Sequence, residues 1–121
     1  GVVRRNSIPV PVAVTEIQFE AEFFDYEAKY NSTTTQEITP ARIDKKTYDE
    51  CMDLSVQIYK KLGCSGFFRA DYILHEEKLY LIEVNTVPGM SEASLLPQML
   101  DYAGMSLSEL LDEEISDLIK K

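Results

Sequence analysis

The chain has 121 residues, 12 basic and 21 acidic, for a formal net charge of −9, and 45% of it is hydrophobic. That length suits one domain with a core of its own, burying roughly 60–70% of its unfolded surface. The acid excess argues against nucleic acid or an anionic membrane as partner, since both need clustered Lys and Arg, but it permits a phosphate ligand bridged by a divalent cation.

The N-terminal residues carry no secretory pattern, and no apolar run approaches the ~20 residues of a membrane helix. Cys51 and Cys64 fit neither metal nor redox spacing and read as reduced thiols of a cytoplasmic protein. Gly1-Val2-Val3-Arg4-Arg5 reads as a strand already under way, without an initiator Met, as expected for a piece of a longer chain.

Residues 1–19 predict two strands joined near Asn6-Ser7, the second confined to a sheet edge by Pro9 and Pro11. Residues 20–41 have no clean period. A connection this long is functional or disordered, and Phe23, Phe24, Tyr26 and Tyr30 favour an ordered, packed loop. Over residues 44–62, Tyr48, Cys51, Met52, Ser55, Ile58, Tyr59 and Leu62 recur at helical spacing, with Asp44 as N-cap and Gly63 just past the end.

Residues 67–74 and 79–85 predict a hairpin around His75-Glu76-Glu77-Lys78. Residues 94–103 predict a short helix, with Ser94 as N-cap, Pro97 in the first turn and Gly104 as stop. Residues 106–119 predict a last helix, with Ser106 and Glu109 as a capping box and Leu107, Leu110, Leu111, Ile115, Leu118 and Ile119 towards the core. Asp112-Glu113-Glu114 reads as a solvated face. The order implies an α+β fold, an antiparallel sheet with packed helices.

Chemistry concentrates on the hairpin. Arg69 and Asp71 are two apart on one strand and Glu83 and Asn85 on the other, so each pair points one way. With His75 opposite Leu79, Asp71 faces Glu83 and Arg69 faces Asn85. In that register Ala70, Tyr72, Leu74, Tyr80, Ile82 and Val84 form the opposite, apolar face. Opposed Cβ atoms lie ~4.5–5.5 Å apart, and two carboxylates that close call for compensation. A divalent cation compensates, and hard oxygen donors select Mg²⁺ or Mn²⁺. Arg69 beside it would hold a phosphoryl or oxyanion oxygen. The same residues also fit surface ion pairs, Arg69–Glu83 or Arg69–Asp71. Ser94 opens a helix whose N-terminus suits an anion, or simply caps it. Met90, Met99 and Met105 read as core filler and His75 as a solvated turn residue.

The run Gly63-Cys64-Ser65-Gly66-Phe67-Phe68-Arg69-Ala70-Asp71, with Glu83-Val84-Asn85-Thr86-Val87-Pro88-Gly89-Met90, resembles the C-terminal part of D-alanine–D-alanine ligases of the ATP-grasp superfamily. Phe24-Asp25-Tyr26-Glu27-Ala28-Lys29-Tyr30 resembles their omega loop, and the likeness spans about residues 12–115. The resemblance implies that residues 1–121 are an ATP-grasp C-terminal subdomain, with the N-terminal domain and central lobe absent.

It further implies that Asp71, Glu83 and Asn85 hold two Mg²⁺ (or Mn²⁺) ions on the phosphates of ATP. Arg69, Tyr30 and the Gly89 amide would be catalytic, and Ser94, Leu95 and Lys29 would bind substrate. The substrates implied are D-alanine and ATP, and the full-length protein is expected to be a cytoplasmic homodimer in peptidoglycan precursor synthesis. Tyr30 favours an amine as second nucleophile over D-lactate. The fragment alone is expected to be inactive, because the phosphate-binding lysines lie outside it. Other ATP-grasp carboxylate–amine ligases, and a non-enzymatic metal-binding or interaction domain, are the competing readings.

Overall fold

The computed structural model describes residues 1–19 and 35–120; the residues expected to form most of the omega loop, with Lys29 and Tyr30, lie outside the described residues. In chain order the elements are β1 (Val2–Arg5), β2 (Ile8–Pro11), β3 (Glu16–Phe19), β4 (Thr35–Ile38), α1 (Lys45–Lys61), β5 (Arg69–His75), β6 (Lys78–Asn85), α2 (Leu95–Ala103) and α3 (Leu107–Lys120). The α+β expectation holds, but the strands form three two-stranded antiparallel sheets, β1-β2, β3-β4 and β5-β6, where one sheet was expected.

Residues 1–19 contain three strands, not two. The third, β3, alternates polar and apolar residues and closes on β4 with Glu16 opposite Ile38. The expected long connection is thereby shortened to the segment between these strands. β1 and β2 join through Asn6 (φ 51°) and Ser7 (φ 65°). Left-handed residues at both loop positions match the right-handed twist of a hairpin. Pro9 and Pro11 are tolerated because β1 is the only sheet neighbour of β2 among the described residues.

β1 divides the interior. Val2 and Val3 point to opposite faces, as strand neighbours must. Val2 joins Tyr59 and Phe68 in one buried cluster. Val3 joins Val12, Ala13, Leu96, Met99, Leu100 and Leu110 in the other. Tyr59 and Phe68 meet edge to face, with centroids 5.5 Å apart, and the Tyr59 hydroxyl donates to the Gly66 carbonyl at 2.8 Å. Burial pushes the Tyr59 phenol up to about 12. The amides of Val2 and Phe68 donate to each other's carbonyls at 2.9 and 3.0 Å, which ties the start of β5 to the core.

α1 begins as expected. The Asp44 carboxylate accepts from the Thr47 amide at 3.3 Å and the Thr47 hydroxyl at 2.7 Å, which holds its carboxyl below the ordinary range. Gly63 has φ +65° just past the end. Thr47, Cys51, Ser55 and Tyr59 are buried on the inner face. Leu62 departs from the expectation and is exposed, because it is the C-cap from which the chain turns away.

α3 differs more. Leu110 is 1% exposed, but Leu111, Ile115, Leu118 and Ile119 are 40, 54, 62 and 79% exposed, not core. The helix instead turns its acidic stripe to β1, with Arg4 3.1 Å from Glu114 and Arg5 3.2 Å from Glu113. Of the expected solvated acidic face, Asp112 is exposed as expected, while Glu113 and Glu114 are partly buried ion-pair partners of Arg5 and Arg4. Two adjacent arginines need several carboxylates, and a helix has only one side to give them. The Glu109 amide donates to the Ser106 hydroxyl at 3.3 Å, half of the expected capping box, while the Glu109 carboxylate lies 4.0 Å from Arg5.

Candidate functional site

Arg69 pairs with Asn85 and Asp71 with Glu83, so the hairpin brings the four expected residues together. It reaches that register by a different route. The turn has two residues, Glu76 (φ 49°) and Glu77 (φ 66°), and His75 pairs with Lys78 rather than Leu79. That shortens the tip by one residue. A bulge between the Asp71 and Tyr72 pairs restores the count, with Ile82 as the unpaired residue of β6. On the tip side of the bulge, Ile73 therefore pairs with Tyr80, Tyr72 with Leu81 and Leu74 with Leu79. Tyr80 shares the Asp71 face, not the apolar one, and Ile82 does not follow the expected alternation. Leu79 and Leu81 take those places instead.

The position of β5 is set from behind. The Tyr72 hydroxyl lies 2.9 Å from the Ser55 hydroxyl, which also donates to the Cys51 carbonyl at 2.7 Å. Burial raises the Tyr72 phenol, and the hydrogen bond with Ser55 partly offsets that. With Tyr72 turned towards α1, Asp71 must face the other way.

The donor set suits a hard cation. Two opposed carboxylates and the amide oxygen of Asn85 are all oxygen ligands, the kind Mg²⁺ and Mn²⁺ prefer. Among the described residues no three His, Cys, Asp or Glu side chains gather into a metal group. So few protein ligands fit a cation that keeps waters and is completed by phosphates. Asn85 Oδ1 is aimed by the Val87 amide, which donates to it at 3.0 Å. Asp71 accepts both Nε and a terminal nitrogen of Arg69, at 2.9 and 3.1 Å, so one of the two expected surface ion pairs is also present.

Gly89 and Ser94 are neighbours. A Cβ on Gly89 would lie 2.7 Å from the Ser94 hydroxyl and 3.3 Å from its Cβ, so only glycine fits without displacing Ser94. Ser94 is the N-cap of α2 by position, yet its hydroxyl caps no amide. It lies 2.8 Å from the Ser91 hydroxyl instead. Leu95 packs against the larger core cluster and lines a cavity of about 590 Å³ that also reaches Arg69, Asp71, Ile82 and Met99. Met99 is both core, as expected, and cavity wall.

Sequence reading missed one feature of this cavity. It is Glu16 with Arg42, joined at 3.0 Å on its rim, with Arg42 also donating to Gln18 at 2.8 Å. The Arg42 pairing holds the Glu16 carboxyl down. Their separation of 26 residues left no local signal.

The oxygen donors and the arginine of the hairpin sit on a small α+β scaffold, and comparison with known proteins places that scaffold in a ligase family. The family described as D-ala D-ala ligase C-terminus matches residues 1–116. The D-alanine–D-alanine ligase of Azobacteroides pseudotrichonymphae is 43% identical over 119 residues, covering 98% of this chain and 37% of that protein. That of Christiangramia forsetii is 45% identical over 115 residues, covering 95% and 35%. Among solved structures, the D-alanine–D-alanine ligase of Bacillus anthracis superposes with a TM-score of 0.69 at 39% identity, covering 89% of this chain and 35% of that one. VanG D-Ala:D-Ser ligase of Enterococcus faecalis superposes with a TM-score of 0.74 at 37% identity, covering 95% and 34%. The chain belongs to the D-alanine–D-alanine ligase family and spans about a third of the length of these relatives.

Proposed function

We propose that residues 1–121 are the ATP-grasp C-terminal subdomain of a D-alanine–D-alanine ligase, and that the whole protein joins two D-alanines for peptidoglycan precursors at the expense of ATP. The observation that carries this is the pairing of Asp71 with Glu83 and of Arg69 with Asn85 in a chain of that family. In the reaction, the carboxylate of the first D-alanine attacks the γ-phosphate of ATP, giving an acyl phosphate and ADP. The amine of the second attacks the acyl carbon, loses a proton and expels phosphate. Asp71, Glu83 and Asn85 are the residues that would hold two Mg²⁺ or Mn²⁺ ions. Bound there, the ions neutralise charge on the transferring phosphoryl group.

Arg69 presents a planar fork that fits phosphoryl and tetrahedral oxygens. The Gly89 amide adds a donor for the oxyanion. Ser94 and Leu95, opening α2, hold the second carboxylate at a helix N-terminus. Lys29 and Tyr30 close over the site and keep water from the acyl phosphate. The full-length enzyme is a cytoplasmic homodimer in this reading.

The test is ADP release with D-alanine. The 121-residue chain alone should show none, and a chain that also carries the remaining length of the relatives should turn over. Turnover by the 121 residues alone would sink the proposal. VanG, a D-Ala:D-Ser ligase, supplies a second reading in which D-serine is the second substrate. Comparing D-alanine, D-serine and D-lactate as second substrate separates the cases.

A further inference from the structure

Both carboxylate oxygens of Asp71 are taken by one guanidinium, Arg69 Nε at 2.9 Å and its terminal nitrogen at 3.1 Å. The pair is sheltered, with side chains 17% and 29% exposed. Asp71 is also the carboxylate that stands opposite Glu83, the second expected metal ligand. A divalent cation bound between them would share a carboxylate with the guanidinium, and the two positive charges repel at that range. Asn85 has no such conflict, because its partner, the Val87 amide, carries no charge.

We infer that Arg69 is a latch on Asp71, which a divalent cation displaces, so that the guanidinium turns to an anionic substrate only after the metal is seated. This inference rests on the reading of Asp71, Glu83 and Asn85 as metal ligands. The exchange is chemically matched. The cation replaces the guanidinium as counter-charge for Asp71, and the freed fork needs a new bidentate acceptor, which a phosphoryl or acyl-phosphate group provides. The latch thereby orders the site: cation first, arginine second. It also keeps Asp71 paired while no metal is present, avoiding an uncompensated carboxylate opposite Glu83.

The experiment follows the Arg69 side-chain Nε–H and the Asp71 and Glu83 carboxyl carbons by NMR in the full 121-residue chain, titrated with Mg²⁺ to saturation. The expected result is an Arg69 Nε–H protected from solvent exchange without metal, whose exchange quickens by about tenfold or more as the carboxyl signals move, the scale of losing one charge-assisted hydrogen bond. Carboxyl signals that move while Arg69 stays protected would overturn the latch and leave the metal reading standing. Carboxyl signals that do not move at any Mg²⁺ concentration would overturn the metal reading, and the latch with it. Arg69→Lys keeps the charge but lacks the fork, and it should bind Mg²⁺ more tightly than the parent chain; unchanged or weaker binding counts against the latch.

Discussion

The two faces of α3 can be separated by a matched pair of substitutions. Leu110 and Leu118 both follow the helical period, but Leu110 is 1% exposed and Leu118 is 62% exposed. Leu110 packs among Val3, Val12, Leu96, Met99 and Leu100, from β1, α2 and the β2–β3 connection. Those neighbours are anchored in β1, α2 and the β2–β3 connection, so they cannot collapse fully into the gap left by Leu110→Ala. The expected loss is about 3–4 kcal/mol, transfer and cavity together. Leu118→Ala removes a side chain that is mostly in water already, in a helix that tolerates alanine, so the expected loss is below about 1 kcal/mol. Urea unfolding followed by circular dichroism, with unchanged m-values, measures both. Equal losses would refute the reasoning, because they would mean that the outer face of α3 is covered in solution. A loss below about 1 kcal/mol for Leu110→Ala would refute the placement of α3 on the core.

Two further outcomes are expected. Gly89→Ala must displace the Ser94 hydroxyl, 2.7 Å from the new Cβ. It should cost about 1 kcal/mol or less in stability, since the Ser91–Ser94 bond is exposed, yet raise KM for the second substrate of the full-length enzyme. Steady-state kinetics with that substrate varied is the check. Asp44→Ala removes the cap of α1 and should cost about 1 kcal/mol, read as a lower thermal midpoint.

Much of the local structure was legible because it rests on short-range physics. Asp44, Gly63, Ser94 and Gly104 mark helix ends at the expected positions, since caps and left-handed residues act within one turn. The spacing of Arg69 from Asp71 and of Glu83 from Asn85 put each pair on one face of its strand. The pairing between strands was also anticipated, but for a reason that sequence did not contain. A two-residue turn and a bulge at Ile82 cancel, so the site end of the hairpin keeps the register while the tip side exchanges Tyr80 and Ile82 for Leu79 and Leu81 on the apolar face. Turn length and bulge are settled by twist and packing along the whole hairpin, which no local pattern encodes.

What the sequence determined by itself is therefore the three helices with their caps, the β1–β2 and β5–β6 hairpins and the donor chemistry of the latter, all of which depend on residues a few positions apart; the β3–β4 pair, which joins segments far apart in the chain, it did not. What only the tertiary structure decided is which way long-range partners turn those elements. Arg4 and Arg5 draw the acidic side of α3 inward and leave Leu118 and Ile119 outside. Arg42 reaches Glu16 across the cavity rim. Arg69 closes on Asp71 beside a face that a metal would need. The first two join residues of distant segments, so charge and spacing alone left several partners equally available; Arg69 and Asp71 are two apart on one strand, and the fold decided only that Arg69 takes Asp71 and not Glu83.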